Sequence, residues 1–132
     1  MSRSTFLTLV AAVAFAVGAL AALAPAVLLA SKGVAADAAA AVWVREVGVA
    51  LLGLAVASFG LRRQPDSPGL RAFLLGNLVI QLGLLPIEIA AYRAGVLTRA
   101  SGIVPNSALH VLLACGFAHF AAKIRVERRS PL

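Results

Sequence analysis

Apolar residues in this chain gather into four long runs, at about residues 6–30, 43–61, 72–92 and 103–122, with short polar connections between them. A bilayer core roughly 30 Å thick takes about 20 helical residues to cross, and every run meets or approaches that length. None shows the period-two alternation that marks the roughly ten-residue segments of a membrane β-barrel, so the expected elements are helices. Short connections make each helix antiparallel to the one before it. The pattern therefore predicts an all-α fold, an integral membrane four-helix bundle running up-down-up-down as a single transmembrane domain over residues 1–132.

Local signals mark the ends of these helices. Pro25 lies near the end of the first run and is expected to kink or terminate it. Asp37 reads as the N-cap of the second helix, and Ser67 followed by Pro68 reads as the cap and first position of the third. Small residues set four apart, Ala14, Gly18 and Ala22, predict a seam where another helix comes close. In the second helix Glu46, Ala50, Gly53, Ala57 and Gly60 share a stripe, so its small residues are expected to be buried against protein as well. The longest connection, residues 93–105, holds Gly95, Ser101, Gly102 and Pro105. It reads either as a lid over the bundle or as a plain connector.

Composition supports the membrane reading. Hydrophobic residues make up 61% of the chain and charged residues 13%, against about 45–50% and 25% in soluble domains. The net charge of +7 would suggest nucleic acid in a soluble protein, but its distribution follows the membrane instead. Arg3, Arg62, Arg63, Arg71, Lys123, Arg125, Arg128 and Arg129 fall on one side of the predicted bundle. Lys32, Arg45, Arg93 and Arg99 fall on the other. The imbalance puts both termini in the cytoplasm by the positive-inside rule. The expected location is a bacterial inner membrane, multi-pass, with the bilayer as partner and no nucleic acid. The first run exceeds the 7–15 residues of a signal-peptide core, so it reads as an uncleaved helix. Cys115 is the lone cysteine, which excludes an intrachain disulfide and Cys-x-x-Cys redox chemistry.

Polar residues inside the spans carry the candidate chemistry, because ionisable groups in a membrane are costly and call for partners. At 100° per residue, Asn77, Gln81, Glu88 and Tyr92 fall within about 60° of one another on the third helix. Arg45 and Glu46 on the second helix, and Asn106 and His110 on the fourth, lie at a similar depth. Together these eight residues could form an outer polar pocket that binds a ligand. Glu88, Glu46 and His110 would be the catalytic groups if the protein were an enzyme. Structural readings stand beside the functional ones: Arg45 and Glu46 at headgroup level, Asn106 as an N-cap, Glu88 in an ion pair with Arg45, and Asn77 and Gln81 as interhelical hydrogen-bond glue. His110 and His119 lie on nearly opposite faces of one helix, so no metal or haem clamp is expected, and no cofactor.

Four short-looped helices, a proline at the end of the first and Arg45-Glu46-Val47-Gly48 at the start of the second resemble the DoxX-like small four-helix bacterial membrane proteins. That resemblance implies an inner-membrane location and says little about chemistry. Small multidrug transporters have a similar size but place an essential acid in the first helix, where this chain has none. The leading expectation is a small polytopic membrane protein that binds a lipid-like or small amphipathic ligand, or a membrane partner, through the outer pocket. The alternatives are a membrane-embedded isomerase, cyclase or hydrolase acting on a hydrophobic substrate, and a purely structural subunit. Four spans leave little room for a closed cavity, so a site shared with a second copy, a homo-oligomer, is also open.

Overall fold

A computed structural model describes residues 1–125, and all regular structure in that range is helical. Five helices follow one another: α1 (Arg3–Leu23), α2 (Pro25–Ser31), α3 (Ala38–Leu61), α4 (Pro68–Arg93) and α5 (Ala100–Lys123). Among the described residues α1, α3, α4 and α5 are long and apolar enough to cross a membrane. Arg128 and Arg129 of the basic tail lie outside the described residues.

Three helix starts follow their local chemistry. Ser2 accepts the Thr5 amide, Asp37 the Ala40 amide at 2.7 Å, and Ser67 the Leu70 amide at 3.1 Å, each satisfying an otherwise unpaired donor. Pro68 occupies the first turn of α4, where its missing N–H costs nothing.

One boundary falls at the expected proline and another differs from the sequence reading. The first run breaks at Ala24, and Pro25, expected to kink or terminate it, starts the separate short helix α2. Proline cannot supply the amide that would continue α1, but it suits a helix N-terminus. The last helix begins at Ala100, so the connection before it shrinks to residues 94–99 and Pro105 lies inside α5. Asn106 is therefore not an N-cap. Arg99 holds that position without a side-chain bond, which frees the Asn106 amide for other partners.

Packing divides the molecule into two antiparallel pairs. α1 packs along α3, α4 along α5, and α1 touches α5, whereas α3 and α4 share at most marginal contact. The pairs join in an apolar core at the end that holds the N-terminus: Phe6, Leu7 and Val10 of α1, Leu70 and Leu74 of α4, and Phe117, Phe120 and Ala121 of α5, with Ile124. Phe6 meets Phe117 edge-on at 5.1 Å and Phe120 at 5.2 Å, favourable aromatic geometry. At the same end Arg3 pairs with Asp66 and donates to the Gln64 carbonyl at 2.6 Å, tying α1 to the α3–α4 connection.

The seam between α1 and α3 uses the expected face of α1 but not of α3. A Cβ on Gly18 would stand 2.9 Å from the Gly48 carbonyl oxygen, and one on Gly48 would stand 2.6 Å from the Ala22 nitrogen. Gly48, Ala55 and Ser58 are the buried positions of α3. Ala50, Gly53 and Gly60 are exposed, and nothing lies within 4 Å of a Cβ on Gly53 or Gly60. The predicted stripe points about 180° away from the buried one. Both faces carry small residues, but only the one bearing Gly48 meets Gly18.

Candidate functional site

Away from the Phe6–Phe117 core the two helix pairs enclose a cleft of about 350 Å³. Its walls are apolar, with Val17 and Ala21 of α1, Val47 and Leu51 of α3, Leu84 of α4 and Leu113 of α5 among them. Trp43 and Val47 on one side and Ile80 and Leu84 on the other also belong to the outer surface. The cleft thus opens sideways between α3 and α4, where the helices do not pack.

One end of the cleft is polar, and Glu88 is its centre. Oε1 accepts from Lys32 Nζ and, at 2.6 Å, from Asn106 Nδ2, while Oε2 accepts from Ser107 Oγ at 3.1 Å. Three donors, one of them charged, compensate a carboxylate that is 8% exposed. Lys32 is itself held by backbone. Its carbonyl accepts the amides of Thr98 and Arg99 at 3.1 and 3.2 Å, and Thr98 Oγ1 donates to the Gly33 carbonyl at 2.9 Å. Gly33 has φ +76°, a left-handed conformation that glycine adopts at no steric cost. Gly102 completes the junction, since a Cβ there would collide with the Ser31 carbonyl. The end of α2 is thereby locked onto the start of α5.

From Glu88 a chain of hydrogen bonds runs deeper. Asn106 Nδ2 lies 3.0 Å from His110 Nε2, and His110 Nδ1 lies 2.6 Å from Gln81 Oε1. Each orientation follows from the one before it. An ionised carboxylate only accepts, so Asn106 must present its NH₂ to Glu88. The second N–H of that group points at His110 Nε2, which must then be the acceptor. The ring proton therefore sits on Nδ1 and donates to Gln81 Oε1.

Of the eight sequence-predicted residues, Gln81, Glu88, Asn106 and His110 come together here, and the other four do not. Arg45 and Glu46 are exposed. They lie about 120–140° around α3 from the stripe that faces the cleft, Val44, Val47, Leu51 and Leu54, so neither is a partner of Glu88. Tyr92 is exposed, one turn past Glu88 near the end of α4. Asn77 is buried but bonds back to the Phe73 carbonyl of its own helix at 2.9 Å, leaving its Oδ1 without a partner among the described residues.

Sequence reasoning missed Lys32 and Ser107. Ser107 had a readable signal, one position from Asn106 on a polar turn of a spanning helix. Lys32 had none, because it reaches Glu88 across 56 residues of sequence through a break at Ala24.

Compared with known proteins, the chain matches no protein-family model, no curated protein and no solved structure. The likeness to DoxX-like proteins is thus a likeness to small membrane proteins in general. Among the described residues the fold is a helical bundle with four helices of membrane-spanning length and a short fifth.

Proposed function

We propose that this protein binds a lipid-like or small amphipathic molecule in the cleft between its two helix pairs. The tail would lie along the valine and leucine walls and the head would sit at the polar end that Gln81, Glu88, Asn106 and His110 form. The observation that carries this reading is the cleft itself: apolar walls, a lateral opening between α3 and α4, and a polar network at one end only. Its volume of about 350 Å³ lies at the small end of ligand sites, which run roughly 300–1,000 Å³. With the basic residues of the N-terminus and of the α3–α4 connection in the cytoplasm, the polar end would lie in the outer leaflet of a bacterial inner membrane.

The acid–base enzyme reading draws less support from the geometry. Glu88 is paired with Lys32 and has further donors on both oxygens, and both ring nitrogens of His110 are engaged. A general base needs a lone pair within reach of its substrate. Glu88 Oε2, bonded to Ser107 alone, keeps one lone pair, but His110 has neither nitrogen free to assist it and Glu46 lies away from the cleft.

Trp43 lines the cleft and is the chain's single tryptophan, so its fluorescence reports occupancy. A single-tailed amphipath brominated on its chain should quench Trp43 saturably in detergent, and the unbrominated analogue should reverse the quenching. Quenching that rises linearly with probe and resists competition is simple partitioning, and would rule the reading out.

A further inference from the structure

The polar end of the cleft is electrically closed but not closed to hydrogen bonding. Among the residues lining the cleft, Lys32 and Glu88 carry the charges, and each neutralises the other. An anionic head would have to compete with Glu88 for Lys32, and a cationic head with Lys32 for Glu88. Either exchange leaves one member of a largely buried pair uncompensated, which is strongly unfavourable. Two hydrogen-bonding groups remain open. Fixing Gln81 Oε1 as the acceptor of His110 turns the Gln81 Nε2 amino group the other way. Nε2 has no protein acceptor among the described residues, it is not sealed away as Asn77 Oδ1 and Ser58 Oγ are, and Gln81 is one of the residues lining the cleft. The same holds for Asn106 Oδ1, since Asn106 uses its NH₂ for both Glu88 and His110.

From this we infer that the cleft selects an uncharged, single-tailed acyl ester whose carbonyl accepts a hydrogen bond from Gln81 Nε2, with Asn106 Oδ1 open to a head-group hydroxyl. The inference rests on the binding reading above and names its ligand class. The small volume argues for one tail. The ion pair sets the polarity of the whole chain from Glu88 to Gln81, so the charges select the ligand by fixing a neutral donor rather than by touching it.

Competition against the brominated probe tests this with methyl decanoate, decanoate and decyltrimethylammonium, which share tail size and differ in head charge. The ester should displace the probe at a concentration about tenfold lower than either ion, the weight of roughly one good hydrogen bond. 1-Monodecanoylglycerol beside the methyl ester separates a bilayer-derived glyceride from a free ester, and either order between these two supports the uncharged class. Glu88→Gln leaves Lys32 unpaired and should shift preference toward decanoate by about tenfold. Gln81→Glu keeps an acceptor for His110 Nδ1 but removes the donor, and should weaken the ester about tenfold. A thermal melt confirms that each variant is folded. Equal displacement by all three heads, tighter decanoate on the unaltered protein, or an unchanged ester affinity in folded Gln81→Glu overturns the inference while leaving amphipath binding intact. No displacement by any probe overturns the binding reading itself.

Discussion

Gly18 and Gly48 face each other across the α1–α3 interface at a separation that admits no side chain on either. Gly48→Ala would drive its Cβ against backbone atoms of α1, which cannot rotate aside as a side chain could. Overpacking of this kind costs about 1–3 kcal/mol, and Gly48→Leu should cost at least that. Gly53→Ala, on the open face of the same helix, should be neutral or raise stability by about 0.5–1 kcal/mol, the helix preference of alanine over glycine. Thermal unfolding of both variants in one detergent checks the contrast. Equal losses would mean that the exposed face is packed after all.

Lys32 and Glu88 should be strongly coupled. Lys32→Met or Glu88→Gln alone leaves one buried group without its counter-charge, and each should cost about 3 kcal/mol. The double variant should recover much of that loss, because neither charge then remains. A double-mutant cycle in detergent measures the coupling, and strictly additive losses would show that the pair contributes nothing as a pair.

Asp66, in the connection between α3 and α4, should give the protein an acid-sensitive limb. The Arg3 hydrogen bond, followed by the Arg125 backbone amide, holds its carboxyl below the ordinary value of 3.8. A carboxyl whose folded value is depressed stabilises the fold fully above the unfolded value. That contribution fades as pH falls through the lower, folded one. Asp66→Asn should therefore be less stable than the parent near neutral pH, and the difference should shrink below about pH 3.8. Melting curves from pH 2 to pH 7 decide it: a gap that stays constant with pH would assign the loss to packing.

Reporter fusions test the orientation drawn from the basic residues. Insertions at Gly95, in the α4–α5 connection, should report a periplasmic location. Fusions after Lys123 should report a cytoplasmic one. The reverse result would place the polar end of the cleft in the inner leaflet.

Signals that act over a few residues were readable in advance. Asp37 and Ser67 cap their helices through bonds to amides three positions away, Pro68 opens its helix through its fixed φ, and the four apolar runs need only a count of consecutive residues to be recognised. Helical periodicity also put Gln81 and Glu88 on one face of α4, and Asn106 and His110 on one face of α5. Whatever depended on rotating one helix against another was not readable. Both faces of α3 carry small residues, so periodicity alone could not choose Gly48 over Gly53. Arg45 was as plausible a partner for Glu88 as any other cation at the same end of the bundle.

By itself the sequence determined the four long apolar helices and where their caps fall, because these follow from run length, capping and the 3.6-residue repeat. Tertiary structure decided the partners. The break at Ala24 turns the chain so that Lys32 reaches Glu88, and the contact between Gly18 and Gly48 swings Arg45 and Glu46 away from the cleft. Partner choice depends on how two helices are rotated about their axes. That rotation is set by close packing at positions far apart in the chain, which no local pattern encodes.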